Sequence, residues 1–256
     1  MKTSANASIS RVAAIAALFM GVLLPLWIFG ALAEEVTDGE LLPFDQPVLF
    51  WLHDHATPTL DRLMLGASQA GSALVLVPLA LLVLARLLVL RRFGSAAYWA
   101  LCTGGGALLN FAAKHGFARA RPGLWLSLSP EDTYSFPSGH AMSTMAACAA
   151  LLVLLRHRHW LPLFALVGAL YVAVVGLSRL YLGVHYPSDV LAGWCASLTW
   201  TLGLAAMMRR QLTHTPESAP SILTTDTQAS ETKLNHAHHH EARQHEAGHA
   251  DGIYIE

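Results

Sequence analysis

The sequence predicts an all-α polytopic membrane protein, a bundle of six transmembrane helices. Two observations carry that expectation. The 256 residues are 54% hydrophobic and 13% charged, with a mean hydropathy of +0.44, too apolar and too poor in charge for an ordinary soluble domain. The apolar residues also fall in long runs. At about 1.5 Å of rise per residue, runs of roughly 17 to 22 residues match a hydrocarbon core of about 30 Å. A formal net charge of −1 argues against a nucleic-acid partner, because binders of the phosphate backbone present a basic surface.

The first span is expected over residues 12–33, after Lys2 and Arg11. The "ALA" at its end has the form of a signal-peptidase site, yet signal h-regions usually run about 7 to 15 residues and this uncharged run is longer, so a retained helix is expected. The remaining spans are expected over 71–90, 95–113, 138–155, 161–177 and 190–208. The "GGG" at Gly104 to Gly106 lies within the third span and reads as close helix packing, and Asn110 as an interhelical hydrogen bond. Cys102, Cys148 and Cys195 fall in separate apolar runs without a CxxC pair, so they read as packing residues rather than as a zinc site or a disulfide framework.

Alternation of six helices gathers Lys2, Arg11, Arg86, Arg91, Arg92, Arg156, Arg158, Arg209 and Arg210 on one side, which the positive-inside rule makes cytoplasmic. The first loop on the other side is acidic, with Glu34, Glu35, Asp38, Glu40, Asp45, Asp54 and Asp61 against Arg62. Residues 1–11 are then a cytoplasmic N-terminus, 12–210 the six-span domain, and 211–256 a cytoplasmic tail. The tail is polar and lacks a sustained apolar face, so it is expected to be disordered. Its "HAHHH" offers incidental affinity for zinc, nickel or copper.

Basic residues also stand on the outer side, where topology disfavours them: Lys114, Arg119 and Arg121 in one loop and Arg179 in another. Arg119, like Arg86, reads as a snorkelling anchor, and His115, His157 and His159 as interfacial. The others have a chemical reason to be there. Three segments share that side: "KHGFARARP" (114–122), "PSGH" (137–140) and "SRLYLGVHYPSD" (178–189). Lys114, Arg121 and Arg179 supply cations whose geometry suits phosphate oxygens. Ser138 and Gly139 open a helix after Pro137, where free N–H groups and the helix dipole favour an anion. Asp189, four residues after His185, can reach one imidazole nitrogen and leave the other free to attack phosphorus. His140 is then available to protonate the leaving oxygen.

Lys114-x6-Arg121-Pro122, Pro137-Ser138-Gly139-His140 and Ser178-Arg179-x5-His185-x3-Asp189 together resemble the three-part signature of the type 2 phosphatidic acid phosphatase superfamily. That superfamily also includes soluble bacterial acid phosphatases and vanadium haloperoxidases. The resemblance covers roughly residues 45–208, including the weaker "LDRLM" and "AGS", and stops before the tail. It implies a phosphohistidine on His185, oriented by Asp189, with His140 as general acid. Lys114, Arg121, Ser138, Gly139 and Arg179 would hold the phosphate, with no metal and no cofactor.

The expected function is a membrane lipid phosphate or diphosphate phosphatase, with undecaprenyl diphosphate as the leading substrate. Phosphatidylglycerophosphate and phosphatidate are alternatives, as is transfer of the phosphoryl group to another lipid hydroxyl. A lipid or anion transporter would explain the cations but not the His185, Asp189 and His140 set. The expected partners are a lipid phosphate substrate and the bilayer, the oligomeric state stays open, and the expected location is a bacterial inner membrane with the site facing the periplasm or exterior.

Overall fold

A computed structural model of the chain describes Ala16 and residues 18–213. The expectations for residues 1–11, and for the His-rich tail beyond 213, lie outside the described residues. Helix α1 (Leu24–Thr37) follows a π-helical turn, Phe19–Leu23. After it come α2 (Asp45–Asp54), α3 (Pro58–Ala70) and α4 (Ala73–Val89). α5 (Phe93–Ala100) runs through a π-helical turn, Leu101–Gly105, into α6 (Gly106–Phe117). α7 (Gly139–Leu154), α8 (Leu161–Tyr181), α9 (Pro187–Met207) and a short α10 (Arg209–Thr213) complete the order.

This is an all-α, multi-pass membrane protein. Four helical stretches are long and apolar enough to cross a membrane: Phe19–Thr37, Pro58–Val89, Leu161–Tyr181 and Pro187–Met207. Of the six expected spans, the third (95–113) lies within the α5–α6 run and the fourth within the shorter apolar helix Gly139–Leu154, neither among those four. The outer faces suit a hydrocarbon surround: Leu74, Leu82 and Val89 of α4, Leu108 and Phe111 of α6, and Leu166 and Leu170 of α8 stand exposed.

Boundaries moved where polar residues are buried in pairs. The fifth span was expected to end at Leu177, yet α8 continues through Arg179 to Tyr181. The sixth was expected from Val190, yet α9 begins at Pro187, because the Asp189 carboxylate accepts the Tyr186 N–H at 2.8 Å as an N-terminal cap. The acidic first loop is itself helical. Asp45 opens α2, while Thr57 caps α3 through Oγ1, which accepts the Leu60 N–H at 3.3 Å ahead of Pro58 in the first turn. Residues 211–213, expected to belong to the tail, continue α10.

α9 is the central helix, packed on α7 and α1, while α7 also packs on α8, and α8 on α3. The α7–α9 approach depends on Gly193, where a Cβ would stand 2.9 Å from the Ser138 carbonyl oxygen and 3.1 Å from the Ala141 Cβ. Leu32, Ala33 and Val36 of α1 are buried in one cluster with Phe136 and Ala192, which fixes the chain leading into α7. Of the three mid-span glycines, Gly105 meets the Trp200 ring, where a Cβ would stand at 2.9 Å, whereas Gly104 faces open space. Asn110 is an interhelical donor to Met142 Sδ of α7 at 3.1 Å and also donates to the Pro137 carbonyl, just before α7, at 3.0 Å.

Candidate active site

The three motif segments meet at one end of the bundle. Lys114 lies in the last turn of α6, His140 in the first turn of α7, Arg179 in the last turn of α8, and Asp189 in the first turn of α9. Between α6 and α7 runs a long loop, residues 118–138. Its base is closed by the Ser135 N–H on the Arg119 carbonyl at 2.9 Å and by the Ser135 hydroxyl on the Ala120 carbonyl at 3.0 Å. Its far part docks through Trp125, which stacks on His53 with ring centroids 4.1 Å apart and lies against Gly183. Gly183 has φ +68°, and a Cβ there would stand 2.6 Å from the indole, so both the backbone and the space require glycine.

His185 is fully buried in the turn between α8 and α9. Its Nδ1 lies 3.3 Å from Asp189 Oδ2, and its Nε2 lies 3.2 Å from Arg121 Nη1. With the Nδ1 proton on the carboxylate side, Nε2 carries the lone pair and accepts from Arg121. Burial pushes the imidazole down to about 4, against the upward pull of Asp189, so the ring is neutral at physiological pH.

Arg121 is the busiest cation. Its Nη1 also donates to the Val184 carbonyl at 2.7 Å, its Nε to the Thr133 carbonyl at 2.6 Å, and its Nη2 to Glu131 Oε2 at 2.6 Å. Arg179, fully buried, donates Nη1 to the Ser68 hydroxyl and Nη2 to Glu131 Oε1. Lys114 donates to the Thr133 hydroxyl at 3.1 Å and to the Tyr134 carbonyl. Glu131 Oε1 also lies 3.9 Å from His140 Nδ1. A carboxylate thus sits among the two guanidiniums and the second histidine. Burial alone would raise the Glu131 pKa, but Arg179 and then Arg121 outweigh it and hold the group below the ordinary range, as an anion.

Two buried polar atoms at this place have no hydrogen-bond partner among the described residues: Ser138 Oγ and Arg179 Nε. Buried polar atoms of this kind are costly unless satisfied, and both belong to motif residues at this end of the bundle. Gly139 lies tight against the other motif, since a Cβ would stand 3.1 Å from Asn110 Oδ1 and 4.0 Å from Lys114 Cε.

Lys114, Arg121, Ser138, Gly139, His140, Arg179, His185 and Asp189 therefore gather as the sequence suggested, with two local differences. The Ser138 N–H donates to the Asp189 carbonyl at 3.0 Å, so it is not free for an anion. The amides of the first turn of α7, from Gly139 on, remain for that role. Ser178 spends its hydroxyl on Val175 of its own helix, at 2.6 Å.

Arg119 overturns its expected part. Rather than snorkelling, its side chain is 8% exposed and pairs with two buried carboxylates, Asp189 at 2.6 Å and Asp45 at 3.0 Å. Arg119, Asp45, Glu131 and Ser68 were missed because each looks ordinary alone: an arginine at a helix end, one acid among the many of the acidic first loop, another beside Asp132 in a loop with two arginines, and a serine in a stretch read as loop. The one signal was that Arg119 shares with Lys114 and Arg121 a loop that the six-span expectation puts on the side where basic residues are disfavoured.

Residues 95–212 match the PAP2 superfamily. Phosphatidylglycerophosphatase B of Bacillus subtilis (strain 168) is 34% identical over 149 residues, covering 55% of this chain and 71% of the relative. Undecaprenyl-diphosphatase of Sulfolobus acidocaldarius is 29% identical over 180 residues, covering 68% of this chain and 83% of the relative. The crystal structure of a transmembrane PAP2-type phosphatidylglycerolphosphate phosphatase from Bacillus subtilis superposes with a TM-score of 0.66 at 25% identity, covering 73% of this chain and 96% of that one. Aquifex aeolicus LpxE superposes with a TM-score of 0.54 at 25% identity, covering 64% and 96% of the two chains.

Proposed function

Because the chain belongs to the PAP2 superfamily and is a membrane lipid phosphatase, we propose that it cleaves lipid phosphates and diphosphates through a phosphohistidine on His185. The observation that carries this reading is the division of the His185 ring: Nδ1 lies 3.3 Å from Asp189 while Nε2 lies 3.2 Å from Arg121, among the cations.

The substrate phosphate replaces the Glu131 carboxylate on Arg121 and Arg179 and takes up Ser138 Oγ, the Gly139 amide and Lys114. The Nε2 lone pair forms the N–P bond as the bond from phosphorus to the leaving oxygen breaks. His140, entering the step as the imidazolium, gives its proton to that oxygen and is left neutral, and Asp189 balances the positive charge that develops on the His185 ring. Water, losing a proton to His140, then attacks phosphorus and displaces Nε2. Phosphate leaves, and both rings return to their starting protonation. Trapping labelled phosphate on the wild-type enzyme by acid-free quenching, and losing both label and turnover in a folded His185→Ala variant, is the expected outcome. Normal turnover by that variant would refute the mechanism.

The chain-binding side favours a lipid. A cavity of about 490 Å³ is lined by Leu26, Phe29, Leu109, Phe117, Met142 and Trp200. It also touches Ala113 and Pro137, the residues just before Lys114 and Ser138, so it adjoins the phosphate-binding segments. An alkyl or prenyl chain there would leave its headgroup at the cations. Within this reading undecaprenyl diphosphate is the leading substrate. Its extra anionic oxygens compete better for three cations, and its phosphate leaving group departs more readily than an alkoxide.

Phosphatidylglycerophosphate is the second reading, favoured by the Bacillus relative and the superposed structure. The test is kcat/KM in one detergent, expected to be higher for undecaprenyl or farnesyl diphosphate than for phosphatidylglycerophosphate. The reverse order would move the assignment to glycerophospholipids. All six apolar stretches cross the bilayer in this proposal, which leaves Arg86, Arg91 and Arg156 inside and the site outside.

A further inference from the structure

We infer that Arg119 and Asp45 act as positioning residues, a buried clamp that fixes the Asp189 carboxylate and through it the His185 ring. The inference rests on His185 being the nucleophile, as proposed above. Every oxygen of the two carboxylates is accounted for. Asp189 Oδ1 accepts from Arg119 Nη1 at 2.6 Å, while Oδ2 accepts the Tyr186 N–H at 2.8 Å and faces His185 Nδ1 at 3.3 Å. Asp45 Oδ2 accepts from Arg119 Nη2 at 3.0 Å and from the Ser188 hydroxyl at 2.7 Å, while Oδ1 accepts the Ser188 N–H at 3.0 Å. Arg119 Nη1 also donates to the Ser188 hydroxyl at 2.8 Å, and its guanidinium carbon lies 4.3 Å over the Tyr186 ring.

The planar fork of one guanidinium therefore ties α2, the α6–α7 loop and the start of α9 together, with Asp45 and Asp189 both fully buried. Arg119 stands between the two carboxylates and bonds both at once, so neither acid can turn without breaking a charged contact. A displaced Asp189 carboxylate would lose its hold on the Nδ1 proton, and the lone pair at Nε2 would no longer be assured. Asp45 holds the other half of the fork, so Arg119 cannot turn toward solvent or toward the phosphate cradle. The clamp touches neither the substrate nor Arg121, Arg179 or Lys114.

That separation gives the test. In the full-length, detergent-purified enzyme, Arg119→Lys and Asp45→Asn are each expected to lower kcat by about 10- to 100-fold, the usual size for a partner that orients a reacting group from behind. Inorganic phosphate, whose cradle is built from other residues, should bind within about threefold of wild type. Ser188→Ala, which keeps the backbone donor to Asp45, is a gentler variant that should fold and lose a few-fold in kcat. The Arg119→Lys, Asp45→Asn double variant should lose little more than the worse single one, as expected for two parts of one unit. Unchanged kcat in folded Asp45→Asn and Ser188→Ala, or a loss confined to phosphate affinity and KM, would overturn the clamp. Failure to find phosphate on wild-type His185 would instead overturn the nucleophile reading on which it rests.

Discussion

Glu131→Gln is the most informative single change, because Glu131 holds the two guanidiniums that the proposed mechanism gives to the phosphate. Its oxygens lie against Arg121, at 2.6 Å, and against Arg179. A hydrogen bond involving a charged group contributes about 1.5–3 kcal/mol, and the amide would keep one neutral acceptor of the two. The Glu131 side chain is 26% exposed, so solvent screens part of this. Discounting for that exposure leaves a competitor weakened by on the order of 1.4 kcal/mol, or about tenfold in the affinity of an incoming anion. Titration calorimetry with inorganic phosphate on the detergent-purified protein should therefore show about tenfold tighter binding in Glu131→Gln. kcat should fall as phosphate leaves more slowly, and KM should fall with it. Phosphate binding that is unchanged or weaker would show that Glu131 does not compete with the substrate, and would remove the displacement step.

Three further outcomes are expected. His140→Ala should cost far more kcat with alkyl lipid phosphates than with activated aryl phosphates, whose leaving groups need no proton; equal losses would count against an acid role. Because His185 is held near 4 in the folded protein and titrates near 6.5 when unfolded, its contribution to stability is complete above about 6.5 and is lost as pH falls toward 4. The acid limb of kcat/KM should accordingly lie well below pH 6.5 in a stopped assay, and a limb centred at 6.5 would contradict the buried, neutral ring. Gly193→Ala would place a methyl group 2.9 Å from the Ser138 carbonyl oxygen. It should lower stability by about 1–3 kcal/mol by overpacking, measured as a fall in Tm, and reduce phosphate affinity as α7 shifts.

Much of this was legible because residue type and spacing report chemistry directly. His185 and Asp189 are one helical turn apart, and their contact follows from that turn beginning at Pro187. The apolar runs locate the helices, but hydropathy ends a helix at its first charge, so α8 was cut before Arg179 and α9 was begun after Asp189. Those charges stay inside because Glu131, Ser68 and Arg119 pair with them, and the partners lie 48, 111 and 70 residues away in sequence. Distance along the chain hid Arg119 and Asp45 for the same reason. The helices α2 and α3 were read as loop because their polarity outweighed their caps.

The α6–α7 loop also has a bearing on how such enzymes diversify. Ser135 closes the loop on its own backbone at Arg119 and Ala120, and Trp125 docks the far part on His53 and Gly183. The segment between is anchored at both ends, and it reaches inward with Glu131 on Arg121 and Arg179 and with Thr133 on Arg121 and Lys114. Grafting of residues 122–134, with Trp125 retained, would therefore change what the three cations hold while the His185–Asp189 pair keeps its own scaffold at the join of α8 and α9.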